Sequence, residues 1–314
     1  MSFVLSIIFL LTFSPFLSQV VFLDQTINIP SGHEIKFPYS LGPKLTAESA
    51  TVVDLEKGEI LFSKNSDKIL PIASITKLMT ALIFLENNKR DWREKILIKK
   101  EDLIINSENS EDLEPAGIEI KFGQVMELED IFYSSLIRSA NDATKVLSRL
   151  IDLPLGKKFI DLMNEKAIFL KMNNTYFADV TGLDSQNRST ADDLVKLILA
   201  AMKNDKIRET LKIRYHDFPI YTKNGQKFYK RIWNTNRLLG NFINLEAAKT
   251  GYLRESGYCL AGLSNYFNRQ LIVIILNAHS DEDRFQEAKS LIWWTTSLKH
   301  DNMKTLEHFL PVTD

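Results

Sequence analysis

Strand-like segments stand near both ends of the sequence, and a helical middle separates them. Residues 50–64 predict a β-hairpin around a Glu-Lys-Gly turn. Strand-like residues resume from about 211, and the ranges 246–253, 257–264 and 270–277 are short apolar runs between turn-forming residues. Because strands at both ends flank the helices, we expect one sheet built from both termini. The sequence therefore predicts an α+β sandwich.

Apolar residues at helical spacing predict the helices of the middle part and one last helix near the C-terminal end. The predicted helices are 74–87, 127–137, 141–151, 156–171, 190–203 and 283–298. We find neither an internal repeat nor a low-complexity tract. Residues 45–300 are thus long enough for one large domain, which a short tail at 301–314 follows.

The N-terminal segment is apolar and carries no charged side chain before Asp24. Its residues 3–23 are long enough, as a helix, to span the hydrocarbon core of roughly 30 Å. The basic residues of an ordinary signal peptide are missing, so a cleaved signal peptide and a membrane anchor at 1–23 both stay open. Either one predicts export to the extracytoplasmic face of the membrane or to the cell wall or periplasm. Residues 24–44 contain several Pro and Gly and predict a linker.

Ser74 and Lys77 lie three residues apart where the helical pattern of residues 74–87 begins. Residues at this spacing share one face of a helix, so the lysine amine can lie beside the serine hydroxyl. This pair is the minimum chemistry for a serine nucleophile that uses lysine, instead of histidine, as its base. No other Ser-x-x-Lys occurs in the 314 residues. Taken alone, the pair is more typical of a solvated start of a helix, where the serine caps the helix and the lysine is exposed to water.

C-terminal to Lys77, three Ser-x-Asn tripeptides offer a second hydroxyl and an amide, at residues 107–109, 139–141 and 185–187. The first and the third lie in polar stretches that predict exposed loops. Only Ser139 and Asn141 join two apolar helical segments, where a short connector can hold polar side chains inside a cleft. The sequence therefore predicts Ser139 and Asn141 as site residues.

Lys249, Thr250 and Gly251 lie in the first of the three C-terminal strand segments. Alternation along a strand puts Lys249 and Gly251 on one face. A glycine there removes a side chain where the backbone of a ligand could approach closely. Taken alone, this lysine is more typical of an ordinary edge strand.

The motifs Ser-x-x-Lys, Ser-x-Asn and Lys-Thr-Gly, in this order, are the signature set of penicillin-recognising serine enzymes. The chain resembles the D-alanyl-D-alanine carboxypeptidases, which are low-molecular-weight penicillin-binding proteins of the S11 peptidase family. The resemblance covers about residues 45–298 and includes residues 50–62, 71–81, 139–143, 163–167, 181–184, 234–236 and 257–260. It implies a β-lactamase/transpeptidase-like sandwich of an antiparallel sheet with a helical subdomain. It also implies an enzyme that needs no cofactor.

The resemblance also implies a mechanism. Ser74 would attack the penultimate D-alanine of a peptidoglycan stem peptide and form an acyl-enzyme, so that the terminal D-alanine leaves. Lys77 would be the base, provided that burial or the like charge of Lys249 lowers its pKa. Ser139 would relay a proton to the leaving amine, and Asn141 would orient Lys77 and the substrate amide.

Substrate binding is implied in the same way. Lys249 and Thr250, in the Lys-Thr-Gly triplet, would bind the terminal carboxylate of the peptide. The backbone N–H groups of Ser74 and Tyr252 would form the oxyanion hole. Arg284 matches a family arginine that opens the last helix, and two roles stay open for it: facing the carboxylate, or being a solvated arginine at the start of a helix. The family usually has glycine at position 247 and threonine at position 253, where this chain has alanine and leucine. Both positions lie beside the strand that would bind the substrate, so these departures affect the expected substrate preference more than the type of reaction.

Three other functions share these motifs. A D,D-endopeptidase uses the same site on crosslinks between stem peptides, and the choice of leaving group depends on the shape of the cleft. A class A β-lactamase needs a glutamate four residues before an asparagine, and that pattern does not occur between Asn141 and Lys249. An inactive peptidoglycan-binding protein would not need the complete set of motifs. The resemblance further implies β-lactam antibiotics as inhibitors.

The composition of the chain argues against nucleic-acid binding, a metal site and an intrachain disulfide bond. The 39 basic and 40 acidic side chains give a formal charge of −1, so nothing indicates a nucleic-acid surface. The five histidines lack metal-ligand spacing, so we predict neither a metal nor a cofactor. Cys259 is the only cysteine and cannot form an intrachain disulfide, and its strand-like surroundings predict a small buried apolar side chain.

Overall fold

The structure is a computed structural model that describes residues 42–104 and 117–301. The predicted signal peptide or anchor at 1–23, most of the linker at 24–44 and all but the first residue of the tail lie outside the described residues. The first Ser-x-Asn, at 107–109, lies outside them as well. Throughout the described part, each helix is too short or too polar to cross a membrane. The domain boundaries stay a prediction.

The described residues form strands, α-helices and two short 3₁₀ turns in a mixed order. The strands are β1 Ser49–Asp54, β2 Glu59–Lys64, β3 Leu70–Pro71, β4 Lys95–Leu97, β5 Val125–Glu127, β6 Arg188–Ser189, β7 Tyr215–Tyr221, β8 Lys227–Trp233, β9 Ala247–Leu253, β10 Gly257–Tyr266 and β11 Arg269–Ala278. The helices are α1 Lys77–Asn87, α2 Leu128–Ile137, α3 Asn141–Arg149, α4 Phe159–Phe169, α5 Ala191–Lys203, α6 Asp205–Lys212 and α7 Asp281–Asp301.

The central sheet has five antiparallel strands in the order β2-β1-β11-β10-β9. Strand β1 pairs with β11 in a register that runs from Ser49 opposite Leu276 to Asp54 opposite Leu271. The N-terminal hairpin and the three C-terminal strands therefore join in one sheet, as the sequence predicts. This confirms the α+β fold class, and it leaves β9, which carries the Lys-Thr-Gly triplet, at an edge of the sheet.

Apolar side chains on the two faces of this sheet belong to two cores. On one face, residues such as Val53 and Ile274 share a core with helices α1, α2, α3 and α5. On the other face, residues such as Val52 and Val273 share a second core with α7. Burial of this apolar surface is the dominant favourable contribution to folding, and it fixes the helices relative to β9.

The chain departs from the prediction between residue 203 and β9. Helix α6 was not predicted, and the Asn204 side chain caps it by accepting hydrogen bonds from the backbone N–H groups of Lys206 and Ile207. The strands resume at Tyr215, close to the expected residue 211. Strands β7 and β8 follow helix α6 and join β4 and β5 in a separate four-stranded sheet. The prediction of a single sheet missed it, since β4 and β5 have three residues each and carry no periodicity.

Candidate active site

The nucleophile turn, residues 73–76, is a 3₁₀ turn between β3 and α1. Ser74 thus lies in this turn, while Lys77 is the first residue of α1. Side chains three residues apart eclipse each other in a 3₁₀ turn, and Lys77 Nζ is 2.8 Å from Ser74 Oγ. The predicted pairing is present, although the helix that was expected to begin at Ser74 begins with a tighter turn.

Three oxygen atoms surround the Lys77 amine, whose side chain is fully buried. Besides Ser74 Oγ, the Nζ atom contacts Asn141 Oδ1 at 2.7 Å and the backbone oxygen of Thr181 at 2.5 Å. A neutral amine has two N–H bonds and one lone pair. When Asn141 and Thr181 accept both hydrogens, the lone pair points toward the Ser74 hydroxyl, which is the orientation that a base needs.

Burial lowers the pKa of Lys77 to about 7, although the carboxylate of Asp179 acts in the opposite direction. From the sequence, the positive charge of Lys249 was a candidate for lowering the pKa of Lys77. In the structure it is the charge of Lys77 that lowers the pKa of Lys249. Burial lowers the pKa of Lys249 well below its usual range, and the charges of Lys77 and Arg284 add to this effect. Desolvation is therefore the main cause that lets Lys77 exist as a neutral amine near neutral pH.

We expect the acylation rate of Ser74 to rise with pH through a midpoint near 7. The proton acceptor is the neutral Lys77 amine, and its population grows as pH passes the lowered pKa of about 7. The check is the rate constant at saturating penicillin from about pH 5 to about pH 9, so that binding of the penicillin carboxylate does not enter. A rate that stays constant or falls across this range would contradict the assignment.

Ser139 lies in the short connector between α2 and α3, as predicted. Its backbone φ is +63°, a left-handed conformation that is rare for residues other than glycine. Its Oγ is buried and has no hydrogen-bond partner within the described ranges. The next element begins at Asn141, whose amide oxygen contacts Lys77. The connector therefore brings both predicted residues to the interior of the helical part.

Gly251 of β9 packs directly against the nucleophile turn. A Cβ atom at this position would lie 2.9 Å from the backbone oxygen of Ile72, 3.0 Å from the backbone nitrogen of Ser74 and 3.1 Å from Ala73 Cβ. These distances are too short for a side chain. The protein's own backbone therefore already requires a glycine here, and the approach of a ligand backbone to Gly251 stays a prediction.

The neighbouring residues of β9 are polar and buried. Lys249 Nζ donates to the backbone oxygen of Thr250 at 2.9 Å and forms no ion pair with a carboxylate in the described part of the chain. Thr250 Oγ1 donates to Thr235 Oγ1 at 2.7 Å. Arg284 Nη1 donates to the backbone oxygen of Gly251 at 2.9 Å, and Nη2 contacts Asp281. In this structure Arg284 therefore holds the backbone of β9.

Sequence reasoning assigned no role to the loop that supplies the Thr181 oxygen. Asp179 Oδ1 accepts hydrogen bonds from the backbone N–H groups of Thr181 at 2.7 Å and Gly182 at 2.6 Å. Gly182 has a φ of +85°, and a Cβ there would lie 2.0 Å from the backbone oxygen of Ala73. The loop thus contacts both the nucleophile turn and the Lys77 amine. Only the resemblance of residues 181–184 to the family marked it in the sequence.

Asn187 supports the same loop. Its Oδ1 accepts from the backbone N–H groups of Ala178 at 3.0 Å and Asp179 at 3.3 Å, and its side chain is fully buried. The prediction that residues 185–187 form an exposed loop is therefore wrong for Asn187. The amide is in the interior because buried backbone N–H groups need acceptors.

Cys259 is fully buried beside the active-site strand, which confirms the predicted environment. Burial raises the pKa of its thiol to about 11, so the thiolate form is scarce at neutral pH. Among the described residues, no three His, Cys, Asp or Glu side chains lie close enough together to hold a metal ion.

A serine hydroxyl against a buried amine of lowered pKa, beside an edge strand, is the arrangement of a serine hydrolase with a lysine base. Comparison with known proteins identifies the family in which this arrangement occurs. The family model of peptidase S11, described as D-alanyl-D-alanine carboxypeptidase, matches residues 38–280. The chain belongs to this family of serine hydrolases.

Relatives with two kinds of activity are similar to the chain. A D-alanyl-D-alanine endopeptidase of Haemophilus influenzae is 37% identical over 260 residues, which are 81% of this chain and 84% of that protein. The D-alanyl-D-alanine carboxypeptidase DacF of Bacillus subtilis is 28% identical over 247 residues, 78% of this chain and 61% of that protein. The cefotaxime-bound structure of penicillin-binding protein D2 from Listeria monocytogenes has a TM-score of 0.67 and 30% identity, covering 82% of this chain and 100% of that chain.

Proposed function

We propose that this protein removes the terminal D-alanine from peptidoglycan stem peptides through an acyl-enzyme on Ser74. The observation that carries the proposal is the 2.8 Å contact between Lys77 Nζ and Ser74 Oγ. At a pKa of about 7, a large fraction of this lysine is neutral at physiological pH. A hydroxyl beside a neutral amine can lose its proton as it attacks a carbonyl carbon.

The acylation step forms an ester bond to Ser74 Oγ and breaks the peptide bond to the terminal D-alanine. Ser74 Oγ forms a bond to the carbonyl carbon of the penultimate D-alanine while Lys77 takes the hydroxyl proton. The backbone N–H groups of Ser74 and Tyr252 donate to the oxygen that becomes negative. When the C–N bond breaks, the proton passes through the Ser139 hydroxyl to the leaving amine, and D-alanine departs. Water then attacks the ester carbonyl while Lys77 takes its proton. The bond between Ser74 Oγ and the carbonyl carbon breaks, Lys77 returns the proton to Ser74 Oγ, and the shortened peptide leaves.

Strand β9 provides the binding surface for the peptide. As an edge strand, it can pair with an extended peptide through backbone hydrogen bonds. Lys249 is buried without a carboxylate partner in the described ranges, and Thr250 lies beside it. The terminal carboxylate of the substrate supplies the missing counter-charge, which stabilises the protonated form of Lys249. This explains why a lysine is retained at a site where burial disfavours its charge.

Mass spectrometry of the intact protein with a penicillin tests the proposal, since β-lactams are expected to acylate the same serine. We expect a stable adduct on the parent protein and release of D-alanine from a soluble pentapeptide. The Ser74→Ala variant should lose both, because it lacks the attacking oxygen, whereas Ser185→Ala should keep both. If the parent forms no adduct and leaves the penicillin intact, the enzyme mechanism is refuted, whereas fast turnover of penicillin without a persistent adduct would indicate a β-lactamase.

The endopeptidase activity is the second candidate, and the Haemophilus influenzae relative of that name favours it. Both reactions use the same acyl-enzyme and differ in the amine that leaves. The same preparation therefore decides between them when it is offered monomeric pentapeptides and crosslinked dimers. Faster cleavage of dimers, without release of free D-alanine, would replace the carboxypeptidase by the endopeptidase.

The place of action follows from the substrate. Peptidoglycan lies outside the cytoplasmic membrane, so we infer that the protein works at the extracytoplasmic face or in the cell wall. The apolar residues 3–23 support export, either as a signal peptide or as an anchor. Digestion of intact spheroplasts by an added protease tests this, because an exported domain is degraded and a cytoplasmic domain is protected.

A further inference from the structure

One face of the β7–β8 hairpin exposes a row of aromatic and cationic side chains. We call this the hairpin face, and its residues are Tyr215, Tyr221, Lys227, Tyr229, Arg231 and Trp233. Tyr229 is 69% exposed and Trp233 is 53% exposed. The alternating residues of the same strands, such as Phe218 and Ile232, point into the core. The rings of the hairpin face are therefore not needed to fill the interior.

The hairpin face is held in a fixed arrangement. Tyr215 lies opposite Trp233 in the strand register, and their ring centroids are 5.3 Å apart. The Arg231 guanidinium lies 4.6 Å from the centre of the Tyr215 ring, and Asp217 binds it through two hydrogen bonds of 2.7 Å and 2.6 Å. A surface whose side chains are already ordered loses less entropy when it binds a partner.

This face is continuous with the proposed active site along the chain. Trp233 ends β8, and Thr235 follows two residues later. Thr235 Oγ1 accepts the hydrogen bond from Thr250, and its backbone N–H donates to Ile137 at the end of α2. Two residues span at most about 7 Å. The ring pair of Tyr215 and Trp233 therefore begins close to the strand that carries Lys249.

We propose that the hairpin face is a binding subsite for the glycan strand of polymeric peptidoglycan. This rests on the proposed function, because the stem peptide on that strand would occupy the cleft at Ser74. Sugar rings have apolar C–H faces that pack on aromatic rings, and Tyr and Trp combine an apolar body with a polar group. Lys227 suits the carboxylates of the stem peptides.

The charge of the hairpin face favours this occupant over a lipid surface. Segments that bind anionic membranes carry clusters of about four to eight Lys or Arg. The hairpin face has two cations, and Asp217 neutralises Arg231. Binding one polymer at the cleft and at the hairpin face raises the effective concentration of the second contact. The subsite therefore favours insoluble peptidoglycan over free pentapeptides.

Sedimentation with purified insoluble peptidoglycan tests the subsite without catalysis. The Ser74→Ala protein is compared with the same protein that also carries Trp233→Ala and Tyr229→Ala. We expect about tenfold weaker retention, as is typical when central aromatic anchors are removed. The matched control is Phe169→Ala, since Phe169 is an exposed ring with Lys166 above it on a different element. Unchanged retention of the double variant, or an equal loss in the control, would overturn the proposal.

Rates of D-alanine release by proteins that keep Ser74 test this subsite separately from the proposed function. The double variant should release D-alanine from a soluble pentapeptide at the parent rate, and from insoluble peptidoglycan about tenfold more slowly. An equal loss on both substrates would overturn the subsite. If the double variant loses binding to phosphatidylglycerol vesicles but keeps binding to peptidoglycan, the hairpin face would be assigned to a membrane instead. Failure of the proposed function would show separately, as a parent that does not hydrolyse the pentapeptide.

Discussion

The Lys77→Met variant is expected to acylate about 10³-fold more slowly than the parent, or not at all. Methionine has a similar length and is apolar, so it occupies the buried space while removing the proton acceptor of Ser74. The residual rate should also lose its rise near pH 7, because the group that titrates there is gone. Stopped-flow measurement of penicillin acylation provides both the rate and its pH dependence.

The control for this variant is Lys64→Met. Lys64 Nζ also donates to backbone oxygens, those of Leu45 at 3.1 Å and Ala47 at 2.6 Å, but it lies on β2 at the opposite edge of the sheet. Its replacement should leave acylation within about twofold, since distant sites act independently. A Lys77→Met protein that keeps the parent rate with a parent-like unfolding midpoint would rule out Lys77 as the base.

The Gly182→Ala variant is expected to lose about 3 kcal/mol or more of folding free energy, together with most of its acylation rate. The added methyl group would meet the backbone oxygen of Ala73 at 2.0 Å and the backbone nitrogen of Ser74 at 2.9 Å. Either the nucleophile turn or the Thr181 carbonyl must move. Both movements disturb the contact between Ser74 and Lys77. Urea unfolding and penicillin acylation measure the two losses.

Gly58→Ala separates crowding from backbone strain. Gly58 has a φ of +63° in the β1–β2 turn, and nothing lies within 4 Å of the Cβ that alanine would add. This variant should lose only the strain energy, about 1 kcal/mol, and should acylate at the parent rate. Equal losses of stability in the two variants would show that the contact with Ala73 carries no energy of its own.

The predictable part of the site consists of side chains whose type is chemically required. Ser74, Lys77 and Asn141 could be found from sequence because a hydroxyl, an amine and an amide at fixed places in helical patterns are uncommon together. Their placement depends on helices and strands with strong periodicity, which sequence patterns indicate well. The central sheet was predictable for the same reason, since its strands are long and apolar.

The unpredicted part depends on backbone atoms and close packing. Thr181 contributes a carbonyl oxygen to Lys77, and every residue type has that group, so no sequence signal exists. Gly251 is required because the nucleophile turn packs against it, which is a contact between distant segments. The buried side chain of Asn187 likewise reflects a tertiary demand, because polar loop residues are usually solvated.

The pairing of β1 with β11 has a consequence for how the protein becomes active. Ser49 lies opposite Leu276, so the sheet closes only after nearly the whole domain has been synthesised. Long-range strand pairing of this kind slows folding, since loop-closure entropy is lost before contacts form. A growing chain that already contains Ser74 and Lys77 still lacks strands β9, β10 and β11, which complete the core and carry the proposed binding surface for the peptide. Catalytic competence therefore arises late, after the C-terminal strands have been synthesised.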